Sequence, residues 1–485
     1  MINLNQFKNF YLMGIKGVAM TSLAQILLDA GKKVEGCDLA EEFVTQDLLK
    51  RIKVKIELGF EHPLPKKTDC LIYTAAHGGP ENPLVIKAVK AGIPTFSQAE
   101  ALSYFFNQKQ GIAVCGVGGK TTVSAMIAWI LEKNNQEPSY SVGVGKIAGL
   151  AKTGQWHADS KYFVAEADEY VINPNAVQNG EEIIPRFSFL KPHISVCTNL
   201  EYDHPDVYTN LEHTQKVFGE FLTSTQPNGF LIVNHDNPEL TQVIQQQAEV
   251  LKQKNITIRS FGQNPGADWQ LLSSEVRDQK NIGQIKIDDK TYELQLPIPG
   301  DFNLLNALAA GLAAACTGMS IDDSLTTLED FHGTQRRFEL IGQKNGVTYY
   351  DDYAHHPHEI KKTIQALKDW HPQQRRVVAF QPHTYSRTKE LFDEFVDALG
   401  TADELILLDI FASAREKSDP TVSSNLLLEH IRKNYPQVKV ANLKFIEALA
   451  DYCQHQLFEN DVFLSMGAGD IYQIYDLLNL NRSVK

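Results

Sequence analysis

Apolar runs along this chain end repeatedly in a glycine turn, and an amphipathic stretch follows most of the turns. The first unit reads FYLMGIKGVAMTSLAQILLDAGKKVEGCDL. Its spacing predicts a strand ending at Gly14, a helix over about 18–30 closed by Gly31, and a second strand ending at Asp38. CLIYTAA and IPTFS predict two more strands, with PLVIKAVKAG as the helix between them. Strand–helix–strand units in series build a parallel sheet with helices on its faces. The polar stretch FNQKQG, 106–111, reads as a linker.

A second series starts at IAVCG and continues into the helix TTVSAMIAWILEKNN, with strands at KYFVAEAD and HISVCTNL. Near 256–297 the pattern shortens to TIRSFG, IGQIKID and TYELQLPIPG, which predicts a small β-rich excursion. LNALAAGLAAACTG predicts a helix whose small residues permit close packing. A third series follows TQRRFELIG: the strand GVTYYDDYA and helix HEIKKTIQALKDW, then RRVVAFQP and TKELFDEFVDALG, then ELILLDI, VFLSMGAG and a last helix. The expected architecture is α/β, as three consecutive α/β domains over 1–107, 108–335 and 336–485.

Composition narrows the partners. The chain has 485 residues, enough for several cores, and a formal net charge of −13 with no basic stripe. An acidic surface gains little from releasing counterions on DNA or RNA, so no nucleic-acid partner is expected. The six cysteines lie far apart with no C-x-x-C, which suits reduced thiols of the cytoplasm rather than a disulfide framework. Neither a signal peptide nor a long apolar run is present, so no membrane insertion is expected.

The candidate chemistry lies at strand ends. GVGGKTT departs from the general phosphate-loop spacing G-x-x-x-x-G-K-S/T, because Val114 stands six residues before Lys120. A shorter loop remains: Gly116, Gly118 and Gly119 let backbone amides turn toward phosphate, Lys120 reaches the terminal phosphates, and the Thr121 hydroxyl can join a magnesium shell. VAEADEY and TNLEYDHPD end two later strands with Glu166, Asp168, Glu169, Glu201, Asp203, His204 and Asp206. In a parallel sheet those ends face one edge, and magnesium needs few protein donors there. The first loop, GIKGVAM, has Lys16 where a dinucleotide fingerprint needs glycine, so it reads as a helix N-terminus facing some phosphate, to which Lys16 adds charge. DDYAHHPHE gathers Asp351, Asp352, His355, His356 and His358, with no helical i, i+4 pairing for zinc. FQPHTYSRT exposes His383 and Arg387, whose guanidinium suits a carboxylate.

Taken in order, GVGGKTT, EADEY, TNLEYDHPD, GDFNLLNALAA, RRFE, DDYAHHP, FQPHTYSRT and GAGDI resemble the motifs of the Mur ligases along nearly the whole chain. That family's phosphate loop has this shorter spacing. The resemblance implies a Rossmann-like first domain for a UDP-sugar, a P-loop-type central domain for ATP, and a Rossmann-like third domain for an amino acid. It implies ATP and magnesium (Mg2+) as cofactors, and UDP-N-acetylmuramate and L-alanine as substrates joined through an acyl phosphate, by a monomer or homodimer. By position, Gly116, Gly118, Gly119, Lys120, Thr121 and Thr122 would hold ATP phosphates, with Thr121, Glu166 and His204 on metal. Asn303 and Asn306 match the adenine side, Arg337 the phosphates, and Asp352 with His355 the ribose. Gly14, Lys16, Gly17 and Asp38 would meet the UDP-sugar, and His383 and Arg387 the amino acid. Lys120, Glu166, His204 and Arg337 form the implied catalytic set.

Four departures accompany the resemblance: Lys16 and Ala19 at two glycine positions, Val117 and Gly118 for a Thr-His pair, Phe302 at a histidine position, and a longer segment over 171–189. EADEY and NLEYDHPDVY also resemble the branch that attaches a recycled tripeptide to the same sugar nucleotide. FQPHTYSRT resembles the alanine-adding branch, which is the expectation. A nicotinamide oxidoreductase explains none of the later motifs, and a catalytically silent nucleotide-binding protein would have no use for Lys120, Glu166 and His204.

Overall fold

The structure, a computed structural model, describes residues 3–412 and 418–480. Positions 1–2 and 481–485, the outer ends of the first and third expected domains, lie outside the described residues. Three sheets carry the chain, and it divides into two compact units. One holds Met1–Ser273, Gly283–Gln295 and Leu305–Phe331; the other holds Ser274–Ile282, Leu296–Leu304 and His332–Lys485.

The first unit contains a five-stranded parallel sheet in the order Lys55–Leu58, Lys33–Asp38, Asn9–Met13, Cys70–Tyr73, Thr95–Ser97. Apolar side chains fill both faces of its central strands, as helix-covered parallel strands require. The stretch expected as a linker, 106–111, is short and packed. The helix Gln98–Phe106 runs almost directly into the strand Gln110–Cys115, and a side chain at Gly111 would strike the Phe106 ring at 2.2 Å. Phe106 packs edge-on to Phe163, and one apolar core joins the two sheets of this unit. A buried polar seam reinforces the junction: Ser22 Oγ lies 2.8 Å from Ser141 Oγ, and Gln25 Nε2 donates to Thr153 Oγ1 at 3.0 Å.

The second sheet has ten strands. Its middle is the parallel set Thr257–Gly262, Phe230–Asn234, Ile194–Cys197, Gln110–Cys115 and Tyr162–Glu166. The expected β-rich excursion is continuous with this sheet. TIRSFG is one of its parallel strands, and Trp269–Arg277, absent from the sequence expectation, leads on to Lys280–Ile287 and Lys290–Leu296. The alternation of WQLLSSEVR is broken by paired serines, so periodicity alone did not mark it. The small-residue helix Asp301–Ala315 forms as expected, and Gly311 admits the Trp269 ring, 2.8 Å from where a Cβ would sit.

In the second unit, six strands run in the order Glu339–Lys344, Val347–Asp352, Val462–Met466, Arg376–Phe380, Glu404–Leu408, Lys439–Lys444. Only the first pairing is antiparallel. The sequence expectation missed the strand Lys439–Lys444 and its flanking helices Ser424–Asn434 and Ile446–His455, whose polar faces dilute the pattern. TKELFDEFVDALG divides into two helices, Tyr385–Glu390 and Phe392–Leu399. His371 is buried, with Nε2 3.0 Å from the Tyr350 hydroxyl. Burial, helped by Arg376, depresses its pKa to about 4.

The unfolded chain therefore binds a proton near pH 6.5 that the folded chain refuses until about pH 4. Stability contributed by neutral His371 is complete above pH 6.5 and is lost as pH falls through that window. Between pH 7 and pH 5 the loss is about 2 kcal/mol. His371→Gln is expected to flatten this part of the pH dependence of thermal unfolding; an unchanged slope would show that His371 does not set it.

Candidate active site

The strands Ile194–Cys197, Gln110–Cys115 and Tyr162–Glu166 are parallel neighbours, so their carboxyl ends open on one sheet edge. Gly116 leaves the middle strand with φ 129°, and Gly119 enters the next helix with φ 84°. A Cβ at Gly116 would lie 2.1 Å from Thr198 Oγ1, and one at Gly119 would lie 2.6 Å from Asn306 Oδ1. Both positions therefore need glycine, for conformation and for room. Neighbouring residues fix the loop: the Gly118 amide donates to Asn199 Oδ1 at 2.9 Å, and the Thr198 hydroxyl donates to the Gly118 carbonyl at 2.5 Å. Lys120 opens the helix Lys120–Lys133. Its ammonium donates to the Gly116 carbonyl at 2.7 Å and to Glu169 Oε1 and Oε2 at 2.9 and 2.8 Å. Thr122 is buried in the same first turn.

Burial alone would lower the Lys120 pKa, but Glu169, Asp168 and Glu166 reverse that and hold it above the ordinary lysine value. The ammonium is thus a permanent charge. Thr121 Oγ1 donates to Glu166 Oε1 at 3.0 Å, and the other Glu166 oxygen accepts from the Gly143 amide at 2.8 Å. His204, at φ 58°, places Nε2 3.6 Å from Glu169 Oε1 and 3.7 Å from Asp203 Oδ2. Burial opposes its protonation, and Glu169, Asp203 and Asp168 together raise its pKa nonetheless. No group of three or more His, Cys, Asp or Glu among the described residues forms a metal cage by itself. The Thr121 and Glu166 oxygens instead fit a hard cation that takes its other ligands from phosphate and water.

The first-domain loop is built differently from its expectation. Gly14 has φ 79°, and a Cβ there would meet Thr74 Cγ2 at 2.3 Å. Gly17 is the N-cap of the helix Val18–Asp29 with no side-chain cap, leaving that end to its amides. The Lys16 ammonium does not face them. It donates to the carbonyls of Leu39 and Glu41 at 2.6 and 2.7 Å, while the Lys16 amide donates to Asp38 Oδ2 at 2.7 Å. A helix N-terminus presents amide donors and the positive end of its dipole, which offer an ammonium nothing, so the nearly buried Lys16 takes two backbone carbonyls instead. Asp38 is itself buried, which raises its pKa.

Known proteins carry the same framework. Residues 9–110 match the model of the Mur ligase family, catalytic domain; 114–314 match the Mur ligase middle domain; and 336–469 match the Mur ligase, glutamate ligase domain. A UDP-N-acetylmuramate–L-alanine ligase of Clostridium tetani is 35% identical over 481 residues, 98% of each chain. The chain belongs to the Mur ligase family. Its fold is also that of the UDP-N-acetylmuramate-alanine ligase of Thermotoga maritima, at TM-score 0.79 and 23% identity over 97% of this chain and 98% of that one. A murein peptide ligase of Psychrobacter arcticus shares the fold at TM-score 0.69 and 22% identity over 97% and 98%. No helix among the described residues is long and apolar enough to cross a membrane.

In the second unit of this Mur ligase, Asp352 is buried, and its carboxylate accepts from the amides of Phe338 and Ala354 at 2.7 and 2.6 Å. Burial raises it to about 6, against the pull of Arg337 and those amides. Arg337 lies 4.0 Å from Glu359 and over the Tyr353 ring. His355 Nδ1 is 3.0 Å from the Tyr353 carbonyl, and its ring meets that of His383 edge-on. Arg387 lies on the short helix Tyr385–Glu390, and the Asn303 amide side chain donates to the Pro299 carbonyl at 2.7 Å. As expected, DDYAHHPHE has no helical i, i+4 pair of metal-binding histidines: His355, with Nδ1 3.8 Å from Glu359 Oε2, stands before the helix Pro357–Trp370.

Sequence reasoning passed over Glu169, Thr198, Asn199 and Arg336. Glu169 was in view within EADEY without a role. Thr198 and Asn199 lie at the end of the predicted strand HISVCTNL, just before the acidic cluster expected to face the phosphate loop, which is the signal that could have found them. Arg336 stands beside the residue chosen instead: its Nε donates to Asp351 Oδ2 at 3.0 Å, within the fold rather than at its surface.

Proposed function

We propose that this Mur ligase joins the amino group of L-alanine to the lactyl carboxylate of UDP-N-acetylmuramate, converting ATP to ADP and phosphate. The observation that carries the reading is one convergence. A permanently charged lysine and the Thr121–Glu166 oxygens meet at the mouth of a loop that only glycine can form. Such a mouth accepts a polyphosphate, and its fixed charges stabilise a transferred phosphoryl group. A lactyl carboxylate oxygen attacks the γ-phosphorus, and ADP leaves. The alanine amine then attacks the acyl carbon, phosphate leaves, and the amine proton passes to solvent. Magnesium, when bound, would neutralise phosphate charge beside Thr121, Glu166 and His204.

The chain's own residues divide the work. Gly116, Gly118, Gly119, Lys120, Thr121 and Thr122 hold the phosphates. Arg337 reaches the phosphates as well, Asn303 and Asn306 take the adenine side, Asp352 with His355 takes the ribose, and His383 with Arg387 binds alanine. Gly14, Gly17 and Asp38 meet the UDP-sugar, and Lys16 belongs to that site by fixing its loop. On this reading 1–107, 108–335 and 336–485 are the three working domains of a cytoplasmic protein, a monomer or homodimer. FQPHTYSRT and the alanine-adding relatives favour alanine over a tripeptide.

Phosphate release from ATP with UDP-N-acetylmuramate is expected to depend on L-alanine, with weaker responses to glycine and L-serine and none to the tripeptide. Release independent of any amino acid, or driven best by the tripeptide, would overturn the assignment.

A further inference from the structure

Two adjoining chambers open beside the helix Val18–Asp29 in the first unit, and they share the walls Val18, Ala19, Gln98 and Ala99. The first reaches Gly17, Thr74 and Ser97; the second reaches Gly143, Glu166 and Asp168. Arg186 borders both. It is the one cationic side chain among the described residues that line either chamber.

Arg186 comes from the long segment 171–189, whose length the phosphate chemistry leaves unexplained. That segment is anchored where it carries the arginine. The Arg186 amide donates to the Tyr170 carbonyl at 2.8 Å, the Phe187 amide donates to the Asp168 carbonyl at 3.0 Å, and the Phe187 ring stacks on Phe221 at 4.2 Å. The guanidinium lies 5.5 Å over the Tyr170 ring, and Nη1 donates to Asp168 Oδ2 at 2.5 Å. A guanidinium has five donors in a planar fork, so one carboxylate leaves it able to grip another.

The second chamber is otherwise hostile to an acid, since Glu166 and Asp168 both line it. A ligand carboxylate must nonetheless come this way, because Glu166 borders the phosphate loop through Thr121. The uncapped amides of the helix start suit a diphosphate in the first chamber. The guanidinium at the junction suits the acid that continues past it.

Resting on the function proposed above, we infer that Arg186 holds the lactyl carboxylate of UDP-N-acetylmuramate in a forked hydrogen bond and selects it over the same nucleotide without that acid. Asp168 is then the positioning residue that aims the fork.

Calorimetric titration with UDP-N-acetylmuramate and with UDP-N-acetylglucosamine tests this on the full chain. Wild type is expected to prefer the acid-bearing nucleotide. Arg186→Met is expected to weaken that nucleotide about 10- to 100-fold and to leave the other within about twofold. Arg186→Lys, keeping charge without the fork, is expected to fall between. ADP affinity should match wild type in both variants, reporting an intact phosphate loop; if Arg186→Met loses it, the ratio is read on Arg186→Lys. A preference that survives the substitution, or an equal loss of both nucleotides, overturns the role of Arg186 and leaves the ligase reading standing. Wild type that binds neither nucleotide overturns the ligase reading, and this inference with it.

Discussion

Lys120→Ala is expected to reduce ATP-dependent phosphate release by at least about 10³-fold while the protein stays folded. The ammonium is the fixed positive charge of the loop mouth, held by the Gly116 carbonyl and both Glu169 oxygens. Developing charge on a transferred phosphoryl group would lose its nearest stabiliser, and no cationic group of the loop replaces it. The substitution also leaves the Glu169 carboxylate without its closest counter-charge, a destabilising change that His204 at 3.6 Å offsets in part. The comparison is therefore made on protein shown folded by circular dichroism, with Lys120→Met as a second variant that retains more of the side-chain volume. Turnover near the wild-type rate in either variant would remove the phosphate loop from the mechanism.

Arg336→Met is expected to destabilise the second unit by about 3–5 kcal/mol. The Arg336 guanidinium and the Asp351 carboxylate are both buried, 3.0 Å apart. Arg336 Nη2 donates to the Gly467 carbonyl at 2.5 Å, and the rings of Tyr353 and Tyr472 lie over the cation. Asp351 keeps only the Ser465 hydroxyl, at 2.7 Å, if the arginine is removed. An uncompensated carboxylate inside a strand core costs far more than the pair contributes, so the double variant Arg336→Met, Asp351→Asn is expected to recover much of the loss. Hydrogen exchange along the strand Val347–Asp352 reads this unit separately. Protection unchanged in the single variant would show that the pair carries no stability.

Much of the fold was legible because parallel, helix-covered strands must be apolar on both faces. FYLMG, IAVCG, KYFVAEAD and HISVCTNL stand out for that reason, and each occupies the place its pattern implied. Trp269–Arg277 and Lys439–Lys444 did not stand out, because strands near a sheet edge keep polar positions that blur the period. At 106–111 the polar letters left the packing of the linker unread for a related reason. Polar letters mark exposed side chains, and nothing in them reveals a Phe106 ring folded over Gly111.

By itself the sequence determined the order of strands and helices, the glycine turns, and the residues placed at strand ends, since these depend on neighbours along the chain. Gly116, Lys120, Thr121 and Glu166 were legible on that basis. Tertiary structure decided which charges face one another. It turned the Lys16 ammonium toward the Leu39 and Glu41 carbonyls, set Glu169 against Lys120, and brought Arg186 to the chamber that Glu166 lines. Such pairings join residues from 20 to 49 positions apart, and burial selects among them: a charge removed from water takes the nearest partner in space, which no local spacing encodes.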